Sequence, residues 1–151
     1  MSTLDILRAE KLCTIATCGN DGIPNAATVF YVFDEKKFLI HILTAPDTIH
    51  GQHICQNGHV ALTVFSTTQK WTADKRGLQI YATGKRTPST ILPGVLKKYL
   101  NRYRGFSQWV KGVLDMKKIQ SRFFTLRIEK IKIFDEPTFG KDVWVEVEVR
   151  T

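Results

Sequence analysis

Residues 43–65 read "LTAPDTIHGQHICQNGHVALTVF". A hydrophobic strand stops at a turn containing Pro46, and about ten residues later Gly58 releases the chain into another strand. The polar segment between has the marks of a short helix. Asp47 and Thr48 can cap its start, because their side-chain oxygens accept the first unpaired amides, and Asn57-Gly58 can end it. A strand, a hydroxyl-rich turn and a helix start in succession leave backbone N–H groups pointing outward. Such a turn is suited to an anion.

The segments on either side are mostly strand. Residues 3–12 fit one short helix, with Leu4, Ile6, Leu7 and Leu12 as its apolar positions. "CTIATCGNDGIPNAATVFYVFDEKKFLIHILT" reads as three strands joined by Gly19-Asn20-Asp21-Gly22 and by Glu35-Lys36-Lys37, the first turn being rich in residues that tolerate positive φ. Further strands are expected at His59–Ser66, Leu78–Arg86, Phe124–Ile133 and Val143–Val149. Residues 92–103 are the clearest helix, since Leu92, Leu96, Tyr99, Leu100 and Tyr103 fall on one face. A second helix is expected over residues 106–120. Six or seven strands with few helices predict a mainly β (α+β) chain built on a small antiparallel barrel.

The chain of 151 residues fits one domain, 1–151, with a sizeable core. No apolar run approaches the roughly 18 residues needed to cross a bilayer, and the N-terminus "MSTLDILRAEKL" carries charges throughout. The expectation is a soluble cytoplasmic protein without a membrane partner. Cys13, Cys18 and Cys55 are an odd number without CxxC spacing, which fits reduced thiols rather than a disulfide framework or zinc knuckle. The net charge of +8 is uneven. Residues 85–132 hold thirteen Lys and Arg against Asp115 and Glu129, so this block carries +11 and the remainder −3. It would attract a phosphorylated or acidic ligand. Its tyrosines, Tyr99 and Tyr103, lie on the apolar helix face, which argues against a stacking platform for nucleic acid.

Taken in order, the NDG turn, the long second strand, the strand ending in Thr44, the short helix, "GHVALTVF" and a strand carrying Gly84 are distinctive. Over roughly residues 3–149 the chain resembles the FMN-binding split β-barrel family that includes pyridoxamine 5′-phosphate oxidase. The ending "IEKIKIFDEPTFGKDVWVEV" is similar to the small YhbP-like bacterial branch. The resemblance implies a homodimer holding FMN in clefts at the subunit interface and acting on a small-molecule substrate. It implies that the FMN phosphate lies at Leu43-Thr44 and Thr48-Ile49-His50, and that the flavin ring runs along Thr28, Val29 and Phe30. Gln79 stands where the oxidase has a glutamine that contacts FMN, and Lys141 and Trp144 are further candidates from the C-terminal side.

There are departures from the oxidase. Ala26 and Tyr31 stand where it has an arginine and a lysine on its second strand, and Ile49-His50 replaces its phosphate-site Arg-Lys pair. "PTFGKDVWVEV" holds no counterpart of its Arg-x-His substrate motif. The expectation is therefore a flavoprotein oxidoreductase that does not oxidise pyridoxamine phosphate, with His50 as a cation for the phosphate when protonated. No catalytic acid or base can be named.

Rivals of other classes remain. One is a flavin or haem carrier without turnover, since relatives with this barrel handle haem, and His41, His50, His53 and His59 stay open as axial ligands. Another is an F420-dependent reductase, because that cofactor's acidic tail suits the basic block. A metal site from His50, His53, Cys55 and His59 is not expected, since on a helix Cys55 points away from the two histidines and His59 lies beyond the stop.

Overall fold

The computed structural model describes residues 3–150. Its elements are α1 (Thr3–Ala9), β1 (Leu12–Cys18), β2 (Pro24–Asp34), β3 (Leu39–Leu43), α2 (Ile49–Gln56), β4 (His59–Phe65) and β5 (Arg76–Arg86). There follow α3 (Leu92–Arg102), α4 (Phe106–Val113), α5 (Met116–Gln120), β6 (Phe123–Asp135), α6 (Glu136–Phe139) and β7 (Trp144–Glu148).

The strands pair antiparallel in the order β3-β2-β1-β4-β5-β6-β7, and β3 also pairs β6. That last pairing closes six strands into a barrel, which removes the two edges an open sheet would expose, and β7 adds to the outside of β6. Alternation along the strands fills the interior with Ile15, Ile40, Ile42, Leu62, Ile80 and Leu126, because successive side chains of a strand point to opposite faces. A second apolar layer forms outside the barrel. There α3, α4 and α5 cover Val32 and Phe123 with Leu92, Val95, Tyr99, Phe106 and Ile119.

Several boundaries differ from the sequence reading. The first helix ends at Ala9 instead of residue 12, and Leu12 begins β1 as an exposed outward residue. On α3 the buried positions are Leu92, Val95 and Tyr99, while Leu100 is exposed. Spacing of i, i+3 and i+7 defines a narrower stripe than expected, and Leu100 sits about 100° round the helix from Tyr99. The expected helix over residues 106–120 is two helices. The chain turns at Leu114, whose φ is 58°, and Asp115 caps α5 by accepting the amides of Lys117 and Lys118.

The short helix α2 forms where its local signals place it. Thr48 is extended and its Oγ1 accepts the Gly51 amide, while Gly58 adopts φ 75° beyond the Asn57 cap. Tertiary bonds then fix its position at one end of the barrel. Asn57 Nδ2 donates to the Cys18 carbonyl at 2.6 Å, and the Gly84 amide donates to the Gly58 carbonyl at 2.7 Å.

Candidate functional site

Two of the candidate regions meet where β3 hands over to α2. The Thr44 amide donates to the Arg122 carbonyl, extending the β3–β6 ladder by one bond, and the chain then turns through Pro46 into the helix. Thr48 Oγ1 donates to the Ala45 carbonyl at 2.8 Å and accepts from Gly51 N–H at 3.2 Å. The Gln52 amide bonds the Thr48 carbonyl. The amides of Ile49 and His50 lie ahead of the first intrahelical acceptor and are the ones this geometry leaves to a ligand. An added Cβ at Gly51 would stand 3.0 Å from Thr48 Oγ1 and 3.3 Å from the Pro46 carbonyl, so a larger residue would push this tight turn apart by a few tenths of an ångström.

His50 Nε2 lies 2.6 Å from Thr44 Oγ1 and 3.3 Å from Thr48 Oγ1. The Thr48 proton is committed to Ala45, so Thr48 accepts from His50. An Nε2–H tautomer serves both threonines and leaves the Thr44 hydroxyl proton for a bound oxygen. The side chain of His50 is 8% exposed, and burial, with a smaller contribution from His53, pushes its imidazole down from the ordinary histidine value. At neutral pH it is thus a neutral hydrogen-bonding group, not the cation expected from the sequence.

Leu43 and Phe30, paired across β3 and β2, open into an aromatic cavity of about 420 Å³ whose other walls include Tyr99, Tyr103, Phe106 and Trp109. Phe30 meets Tyr103 edge-on at 5.3 Å, and Phe106 stacks on Trp109 at 5.5 Å. The Tyr99 hydroxyl reaches the carbonyls of Phe30 and His41, both at 3.0 Å, and the Tyr103 hydroxyl bonds the Tyr31 and Lys11 carbonyls. Arg122, whose carbonyl holds Thr44, places its guanidinium over the Trp109 ring at 6.0 Å. Sequence reasoning missed Trp109 and Phe106 as cavity walls and Arg122 behind Trp109. It also took Tyr99 and Tyr103 for core alone, since helical spacing shows which residues share a face but not that the covered face has a gap.

The remaining candidates are elsewhere. Thr28 is exposed and Val29 is buried in the barrel, with only its backbone available. Ile49 is exposed at the first turn of α2. Gln79 and Trp144 line a different cavity, of about 380 Å³, together with Phe65, Trp71 and Phe134. Phe134 stacks on Trp144 at 4.6 Å, and Lys132 lies over the Trp144 ring. Lys141 is exposed in the turn between α6 and β7 and lines neither cavity. At the position of the oxidase's second-strand lysine, Tyr31 is buried and its hydroxyl donates to the Leu7 carbonyl, so it faces no ligand. Among the described residues no three His, Cys, Asp or Glu side chains converge as a metal site, and no helix is long and apolar enough to cross a membrane.

A closed six-stranded antiparallel barrel with an added strand, flanking helices and a donor-lined turn at the end of the third strand defines a split-barrel protein of α+β class. Residues 3–135 match the family model described as pyridoxamine 5′-phosphate oxidase, and the chain belongs to that family. It is 31% identical over 100 residues to the UPF0306 protein PM1958 of Pasteurella multocida (strain Pm70), a match covering 66% of each chain. In fold it is similar to a heme binding protein from Mycobacterium smegmatis, with TM-score 0.73 and 13% identity. That match covers 95% of this chain but only 55% of the mycobacterial one, so this chain spans about half its length. It is also similar to an FAD-binding protein from Mesorhizobium loti, with TM-score 0.63, 14% identity, and coverage of 87% and 92%.

Proposed function

We propose that this protein is an FMN-binding oxidoreductase with a small-molecule substrate. The observation that carries the reading is the continuity of Leu43 and Thr44: one lines the aromatic cavity, and the next belongs to the donor cluster with Thr48, His50 and the first amides of α2. An aromatic slot suits a flat, largely apolar ring, and a helix start with hydroxyl donors suits a phosphate. Bound flavin would supply hydride or electron transfer. The chain's own residues bind and orient: Thr44 and the amides of Ile49 and His50 hold the phosphate on a turn that Thr48 fixes, while Phe30, Leu43, Tyr103 and Trp109 exclude water from the ring.

The same reading calls for two copies of the chain. Thr28 and Gln79 lie on one outward row, Thr28–Thr14–Thr63–Gln79, three strand spacings or about 14 Å apart. Within one subunit, Gln79 and Trp144 therefore stand well away from the Phe30 cavity, and a second copy would bring its Gln79 and Trp144 to it. The outward face has the composition of such an interface: Leu12, Phe30, Phe65, Tyr81 and Trp144 are each between 42 and 50% exposed.

A haem-binding function is the second reading, favoured by the fold shared with the mycobacterial haem-binding protein. The visible absorption spectrum of freshly purified protein separates the two. Flavin bands are expected. A Soret band would replace the proposal by haem, a deazaflavin band by F420, and a spectrum that stays featureless after FMN is added would end it.

A further inference from the structure

We propose that a second, polar cavity under the start of α3 binds a small oxyanion of phosphate size. The cavity has a volume of about 210 Å³ and is lined by Asp34, Lys37, His41, Thr90, Gly94 and Lys98, among others. One water needs only about 10–15 Å³, so there is room for an ion and its residual hydration.

His41 points into this space. It is 2% exposed, and its Nδ1 lies 2.9 Å from Thr125 Oγ1, which lies 2.9 Å from Thr87 Oγ1. The direction of this chain follows from counting protons. If His41 donated, the hydroxyl proton of either Thr125 or Thr87, 5% and 1% exposed, would have no acceptor among the described residues. If Thr87 donates to Thr125 and Thr125 to Nδ1, both buried hydroxyl protons are placed. His41 then carries its proton on Nε2, which has no protein partner among the described residues and faces the cavity. Burial, helped by the fields of Lys98 and Lys37 and opposed by that of Asp34, holds its pKa down to about 4, so at neutral pH the ring is a neutral donor.

The remaining groups favour an anion. Asp34 Oδ1 is occupied by the amides of Lys36 and Lys37, and its Oδ2 lies 3.8 Å from Lys98 Nζ. The two lysines thus exceed the one carboxylate. The start of α3 also opens here. Leu92 and Val95 bond the carbonyls of Pro88 and Ile91, and Pro93 has no N–H, so Gly94 keeps the amide without a partner among the described residues. An added Cβ at Gly94 would meet no atom within 4 Å. Neutral imidazole N–H, ammonium, hydroxyl and helix-start amide form an oxyanion's donor set.

Long-range proton–nitrogen spectra of the imidazoles test the inference on the full chain. The expected result is an Nε2–H tautomer for His41 and a saturable shift of that nitrogen with inorganic phosphate. Lys98→Met should weaken the titration about tenfold, the loss of one charged contact worth about 1.4 kcal/mol, with the tautomer kept. Gly94→Asp is acceptable to a helix start and should keep the fold yet abolish phosphate binding. An Nδ1–H tautomer, an equal shift with chloride at matched ionic strength, or unchanged titration in both variants would overturn the site and leave a water-filled cavity.

Discussion

Thr44 Oγ1 and His50 Nε2 stand 2.6 Å apart, joining the residue after β3 to the first turn of α2 through their side chains. The bond fixes how the helix start faces the end of the strand, and with Thr48 it gathers three polar side chains around two free amides. The consequences of this arrangement, and of the packing behind it, can be measured.

Thr48→Asp should separate phosphate binding from folding. Aspartate caps a helix about as well as threonine and favours the positive end of its dipole, and the extended backbone of Thr48 suits either residue. Two unit charges about 4 Å apart repel by roughly 4 kcal/mol at an effective dielectric near 20, or several hundredfold in affinity. The variant keeps the cap but loses the hydroxyl's bond to the Ala45 carbonyl, about 1 kcal/mol. It should fold with a slightly lower melting point when empty and lose FMN, while riboflavin, which lacks the phosphate, is held nearly as before. Equal FMN retention would place the phosphate elsewhere.

Gly84→Ala should loosen the seat of α2. An added Cβ would stand 2.6 Å from Leu126 Cδ2 and 3.1 Å from Ile54 Cγ2, between the barrel and the helix. Overpacking of this kind costs about 1–3 kcal/mol. Urea unfolding should show that loss with an unchanged slope, and FMN affinity should fall as the helix is displaced. An unchanged midpoint would mean that the helix is not seated against Gly84.

Acid should destabilise the protein through His41. Its folded pKa lies near 4, below the unfolded value of about 6.5, so the unfolded chain binds more protons between the two. Stability is then fully present above about pH 6.5 and falls as pH drops toward 4, by at most about 1.4 kcal/mol per pH unit for one group. His50, shifted in the same direction, adds to the slope. His41→Gln should flatten the curve over that window relative to the parent. Parallel curves would assign the acid sensitivity to other groups.

Ala61→Arg tests the two-copy cleft. Ala61 lies on the outward row Ala26–Ala16–Ala61–Tyr81 at the middle of the exposed face, where a long charged side chain leaves the barrel interior untouched. An interface on this face should bury well over about 1,000 Å². Light scattering should find the parent at twice the chain mass and the variant at the chain mass, with flavin lost. A parent that is monomeric with flavin bound would defeat the shared cleft.

Much of this was legible locally. The alternation in β1 to β6, the Thr48 cap and the Asn57-Gly58 stop are short-range signals, and the order of strands around the short helix was enough to recognise the family. Leu100 and the break at Leu114 were misread because helical spacing alone gives neither the width of the covered stripe nor a residue forced to positive φ.

By itself the sequence determined which segments are strand or helix, which residues share a face, and that the turn after β3 offers hydroxyls and amides. These follow from backbone periodicity and capping, which act over a few residues. Only the tertiary structure decided that β3 closes on β6, that Leu43 and Phe30 face a cavity roofed by Tyr103 and Trp109, and that Gln79 and Trp144 stand apart from it. It also decided that His41, 84 residues from Thr125, is buried against it with its other nitrogen facing a polar cavity. Such pairings are set by which faces meet when the barrel closes and the helices pack on it, and periodicity along the chain carries no record of the partner across the fold.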